Sequence, residues 1–287
     1  MKKLAATPKT CTLYHHNSVM VDEEVKVDLL ASELSSLNVY PQVKMPSSAF
    51  LKMISEVDRK KADAWQDSSE LSDTMNTRYM SHMIFEGLSC LSNKQFPTLQ
   101  SIEHIGIIDI SVRNRGQTSE KTSEMVHKKS TDTTTKRWQI LQANINFVEY
   151  SESHSTILLI DRDSLIIEEF DPLGTCQENE FCYTILENWC GKHFPDFYFC
   201  ACKTFCPGAG PQGANGSKSS GACWLLCIFW ILTRVSSDLV GRKELVDYLN
   251  DMQRYDFLDD LLIKAGIWII DSLESIGFSN TIVDYTK

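Results

Sequence analysis

The stretch His154-Ser155-Thr156-Ile157-Leu158-Leu159-Ile160-Asp161-Arg162-Asp163-Ser164-Leu165-Ile166-Ile167-Glu168-Glu169-Phe170-Asp171 reads as two short apolar strands around a polar turn. Both runs are rich in branched side chains, and a four-residue connection is a common hairpin length. In the simplest antiparallel register Ile160 faces Leu165. The same register sets His154 directly opposite Asp171, on one face, with Cβ atoms ~4.5–5.5 Å apart. A carboxylate so placed accepts a hydrogen bond from the imidazole, holds its tautomer and stabilises the imidazolium. A surface ion pair at a strand end would look the same. Glu169 shares the face of Asp171 and is the second candidate carboxylate. His193, with Asp196 three residues on, is a weaker alternative base.

Further along lies Ser219-Ser220-Gly221-Ala222-Cys223-Trp224-Leu225-Leu226-Cys227. Small residues lead up to a thiol, and an apolar helix leaves from it. The partial positive charge of a helix N-terminus favours an anion and lowers the pKa of a thiol there. Gly221 and Ala222 leave room for a substrate backbone. Cys227, one turn deeper, reads as core, and a buried structural thiol is equally compatible with Cys223 by itself. Upstream, Gln212 in Gly210-Pro211-Gln212-Gly213 is placed to donate to a developing oxyanion, with the N–H of Cys223 as the second donor. Asn215 competes for that role. Papain-type enzymes place the cysteine first, whereas here the chain order is His, Asp, Gln, Cys.

These residues carry a resemblance. Residues from about 144 to 230 resemble the superfamily of adenovirus-type proteinases (adenain) and SUMO-specific, Ulp-type proteases. The His-to-Asp hairpin with Phe170-Asp171-Pro172-Leu173-Gly174, the Gln212-Gly213 pair and the Cys223 helix carry it. The chain departs from the family where Ser155 follows His154 in place of Trp, and where Gln212 and Cys223 stand 11 residues apart. The resemblance implies an α+β fold: a papain-like or adenain-like core, with a mixed sheet packed on a central helix that carries the nucleophile. It implies a cysteine protease with the triad His154, Asp171 and Cys223, and an oxyanion site at Gln212 and Cys223. It implies cleavage near small or glycine residues, with Trp138, Trp224 and Gly221 as candidate channel walls. No cofactor is implied. The expected partner is a protein substrate, either a viral or mobile-element capsid precursor or a ubiquitin-like conjugate cut by a SUMO-type isopeptidase. The first is favoured, because the Phe-Asp-Pro-Leu-Gly and Gln-Gly phrases look more adenain-like. An inactive protease-fold binding protein and a thiol-rich metal protein are the readings from other classes.

Outward from this region, helical spacing appears at Val25, Leu29, Leu30, Leu34 and Leu37. It recurs at Phe50, Met53, Ile54 and Val57 behind a Ser47 or Ser48 cap. A third helix is predicted over 71–88. Residues 1–100 are therefore read as a helical N-terminal region that could recognise substrate, and 101–287 as the catalytic domain. Strands are predicted over 104–112, 138–148 and 196–202, a helix around Phe181 to Trp189, and one or two amphipathic helices over 242–278. The stretch 113–137 holds nine Ser or Thr and a charge of +4, which predicts a flexible basic loop. Local anion contact or substrate gating would be its active roles.

The chain has 287 residues, enough for one large domain or two small ones. Its net charge of -10 opposes bulk nucleic-acid binding, leaving weak contact through 113–137. The longest apolar run, 222–232, would span ~16 Å as a helix, about half a membrane core, so no membrane partner is expected. The N-terminal Met-Lys-Lys-Leu lacks the apolar core of a secretory signal. Reduced thiols, and a cytoplasmic or nuclear location in a host cell or packaging in virions, are expected. Of the ten cysteines, eight lie between Cys176 and Cys227. Cys200-Ala201-Cys202 with Cys206 offers soft ligands, but there is no C-x-x-C, and no metal site is assigned.

Overall fold

A computed structural model describes residues 46, 48–79, 81–91, 97–112, 121–123, 136–147, 152–174, 180–206, 209–212, 221–236, 241–254 and 256–278. The chain divides into units 1–39 and 40–287, and every described residue belongs to the second. The helix expected over 23–37 lies outside the described residues.

The N-terminal helices are set by their caps. The Ser48 hydroxyl accepts the Leu51 N–H and starts α1 (Ala49–Ser55). Asp58 caps α2 (Arg59–Ala62), and Asp67 caps α3 (Ser68–Arg78) by accepting the Glu70 N–H at 2.8 Å. The single helix expected over 71–88 is two, because Tyr79 turns extended before α4 (Ser81–Cys90). Both halves meet the last helix, but only α4 also lies against the first strand. One helical stripe in the sequence conceals such a break.

The sheet has six strands in the order β2-β1-β3-β4-β5-β6. They are β1 (Ile102–Val112), β2 (Lys121–Ser123), β3 (Trp138–Phe147), β4 (Glu152–Asp161), β5 (Ile166–Phe170) and β6 (Tyr198–Cys200). The pairs β1/β3 and β5/β6 are parallel, and the others are antiparallel. The fold is α+β with a mixed sheet. Part of the stretch expected to be loop, Lys121–Ser123, is strand, paired with Asp109, Ile110 and Ser111. The strand expected to reach residue 202 stops at Cys200, because the Cys202 N–H is taken by the Glu169 carboxylate and a 3-10 turn begins there.

Each sheet face buries its own core. One face meets α5 (Glu180–His193), with Leu158, Ile160, Ile167, Leu186 and Cys190 between them. The other meets α6 (Cys223–Ser236), α7 (Arg242–Arg254) and α8 (Leu258–Ser275). Helix α6 is apolar on all sides and buried from Cys223 to Thr233, as such a helix must be. It is docked on the sheet by stacking of Trp230 on Phe170, centroids 4.2 Å apart. A two-pronged ion pair from Arg234 to Glu168 holds its far end. Helices α1, α3 and α4 bury Phe50, Leu71 and Ile84 in the same core as α6. The helices before residue 100 and the sheet after it share one core.

Candidate active site

The hairpin is built in a different register from the simplest one. Asp161 pairs with Ile166 and Ile160 with Ile167, so Leu165 joins the turn with a positive φ of 54°. Continuing the ladder places Asp171 across from Thr156, two residues inward of His154. The shift moves each partner by two positions, so the shared face survives. The contact becomes diagonal, which long side chains can span. His154 Nε2 lies 2.7 Å from Asp171 Oδ1, both groups buried.

Asp171 is itself held. Its Oδ1 accepts the Leu173 N–H at 2.8 Å, and its carbonyl accepts the Gly174 N–H at 2.9 Å. Pro172 and Gly174 (φ 70°) suit that turn. The Phe-Asp-Pro-Leu-Gly phrase is thus the device that aims the carboxylate.

Cys223 is the first residue of α6, and its side chain is hydrogen-bonded to His154. Nε2 being engaged by Asp171, Nδ1 is the ring nitrogen left for the thiol. The backbone N–H groups of Ser155 and Trp224 also point at the sulfur. Burial pushes the Cys223 thiol up, but the His154 contact and these donors outweigh it and hold the thiol below its ordinary value. Burial likewise pushes His154 down, yet Asp171 and Cys223 raise it from 6.5 to about 10. Thiolate and imidazolium stabilise each other. Cys227, one turn on, donates to the Ser155 carbonyl at 3.4 Å, and burial raises its pKa, so it stays a thiol. The backbone of one residue, Ser155, thus meets both cysteines of the helix through its N–H and its carbonyl, a role no side-chain pattern could announce.

Gln212 is buried, and its N–H donates to the Pro172 carbonyl at 2.9 Å. The Gly210 N–H donates to Leu173 at 2.9 Å, and Ala209 bridges Gly174. The Gln212 segment is stitched onto the turn that aims Asp171. A Cβ at Gly210 would collide with Gly174 N and the Pro172 carbonyl, so only glycine allows this approach. Residues 213–220, including Asn215, lie outside the described residues.

The channel candidates separate. Gly221 is exposed, with φ 93°, and abuts Ser69 at the start of α3. Trp224 adjoins Cys223 but is buried in the core. Trp138 sits at the other end of the ladder: it pairs with Asp161, while Ile145 pairs with His154. Seven strand residues, roughly 23 Å, separate it from the site, and it stacks under Arg137 instead. Its expected place as a channel wall is therefore corrected.

Glu169 turns to Cys202, accepting its N–H at 3.0 Å. His193 stacks on Trp189, centroids 4.4 Å apart, at the end of α5. Cys200 and Cys202 part where β6 ends: the first meets Thr204, the second the Asp171 carbonyl. Among the described residues no group of three or more His, Cys, Asp or Glu could hold a metal ion. Among them, too, no helix is long and apolar enough to cross a membrane.

The site thus joins a thiol at a helix start, an imidazole and a buried carboxylate in one hydrogen-bonded series. Comparisons with models of protein families, with curated proteins and with solved structures find no match to this chain.

Proposed function

We propose that this chain is a cysteine endopeptidase of the adenain-like or Ulp-type kind, cutting near small residues in protein precursors such as those of viral or mobile-element particles. The observation that supports it most is the series Cys223–His154–Asp171, with 2.7 Å between His154 Nε2 and Asp171 Oδ1. The Cys223 thiolate attacks the scissile carbonyl carbon and forms a C–S bond. The carbonyl π electrons move to oxygen, where the Cys223 N–H and the Gln212 amide receive the charge. The Cys223 N–H is available because the first turn of a helix leaves its donors unpaired. The imidazolium of His154 gives its proton to the departing amine as the C–N bond breaks. Water then adds to the acyl-enzyme with His154 as base, releasing acid and restoring the thiolate. Asp171 keeps the ring oriented throughout.

The test is alkylation of the reduced full chain with a small electrophile, located by mass spectrometry. The expected result is preferential labelling of Cys223 at neutral pH, lost in His154→Ala. Slow, uniform labelling of many thiols would sink the reading.

A further inference from the structure

Strand β1 carries an irregularity that matters for the site. The β1/β3 register shifts between His104 and Gly106. Before it, Ile102 faces the α6 core. After it, Ile108 and Ile110 face the α5 core. The bulge therefore turns Asp109 to the α6 face, as bulges commonly re-aim side chains.

On that face Asp109 meets a polar row crossing three strands. Asn144 pairs with Asp109 on one side and with Ser155 on the other. The Ser155 hydroxyl donates to Asn144 Oδ1 at 3.4 Å, and Gln142 Nε2 donates to the same oxygen at 2.7 Å. Asn144 Nδ2 then donates to Asp109 Oδ1 at 3.1 Å. Every bond points toward Asp109. Among the described side chains, which do not include those of Lys121–Ser123, the Asn144 amide is the one hydrogen-bonded to Asp109. A carboxylate has about four acceptor positions, of which this bond takes one.

The row begins at the reacting sulfur, because Ser155 donates its N–H to Cys223. It lies where α6 stops covering the sheet. From Cys223 the helix runs over Ile157 and Phe170 toward Glu168, where the face is apolar. In the other direction Ser155, Asn144, Asn146 and Asp109 are half-buried and Ser153 is exposed. Two strand spacings carry the row ~10 Å from Ser155 to Asp109, the length of about three residues of an extended peptide.

We infer that the Asp109–Asn144–Ser155 row is a substrate subsite that accepts a basic side chain, Lys or Arg, within three residues of the scissile bond. The inference rests on the peptidase reading above. Its occupant is a peptide cation because the row ends in a carboxylate and offers acceptors. An arginine would use both carboxylate oxygens.

The test compares peptides that differ only in Lys, norleucine or Glu at each of three positions on either side of the cleaved bond. The full chain is expected to favour Lys at one of them by about tenfold in kcat/KM, the worth of a charge-assisted hydrogen bond. Asp109→Asn should abolish the preference, Asp109→Lys should turn it toward Glu, and ~1 M salt should shrink it in the unaltered chain. Cys223-dependent cleavage that ignores charge at all six positions would overturn the subsite and leave the peptidase reading standing. So would a preference that survives Asp109→Asn or high salt. Absence of any Cys223-dependent cleavage would overturn both.

Discussion

Asp171 and Glu169 stand two positions apart at the end of β5, both fully buried, in opposite surroundings. Asp171 faces the His154 imidazole, and beyond it the Cys223 thiol is held below its ordinary value. Glu169 has no imidazole beside it and accepts the Cys202 N–H instead. Burial raises it from 4.5 to about 8, helped by the nearness of Asp171 and Glu187 and opposed by the Cys202 N–H and Lys203. The thiols beside it follow: burial, then Glu169 and Glu187, push Cys190 up to about 12. Cys202 is raised by its contact with Cys206 and by burial. Burial without an opposite charge to offset it raises Glu169, Cys190 and Cys202 alike. Cys223, also buried, is held below its ordinary value because the His154 imidazole stands between it and Asp171.

The sharpest way to break this comparison is at Asp171. Asp171→Asn keeps the shape but removes the charge that sustains the imidazolium. On the proposed function, turnover of a peptide substrate should fall by about 10⁴-fold. A loss below tenfold would mean that His154 needs no carboxylate.

Gly210→Ala probes the same carboxylate from behind. The added methyl must displace the Pro172–Gly174 turn or the Gln212 segment. Turnover is expected to drop about 10²-fold, the usual effect of a misplaced catalytic group. Thermal unfolding should change far less. An unaltered turnover would show that the turn does not aim Asp171.

Glu169→Gln tests the other side and should leave turnover within about threefold. Its effect is on stability. Unfolded, Glu169 ionises near 4.5, while folded it keeps its proton to about 8. The folded state then binds the extra proton, so stability falls as pH rises through that window and levels above it. Glu169→Gln removes the slope. The melting temperature of the variant relative to the parent should climb between about pH 5 and pH 9, and a difference independent of pH would refute the assignment.

Much of this was legible from local pattern. The branched runs around Asp161–Leu165 marked a hairpin, and strand parity put His154 and Asp171 on one face in either register. The all-apolar run after Cys223 marked a buried helix. The register itself was not legible, since it turned on Leu165 adopting a left-handed conformation that nothing in its side chain announces. Helix spacing over 71–88 hid the break at Tyr79 because both halves stay in phase. Trp138 looked like a channel residue only while the pairing of β3 with β4, which sets Trp138 opposite Asp161 and Ile145 opposite His154, was unknown.

The amino-acid sequence by itself determined the elements, their buried faces and the types of group able to do cysteine chemistry, because those follow from periodicity and side-chain identity. Tertiary structure decided everything that depends on distance. It made the His154–Asp171 contact diagonal, brought the Ser155 backbone against Cys223 and Cys227, and bound the Gln212 segment to the Asp171 turn. It turned Asp109 to the α6 face through a bulge in β1, and it merged the N-terminal helices into the α6 core. These are contacts between residues far apart in the chain, and no local preference encodes where two such residues meet.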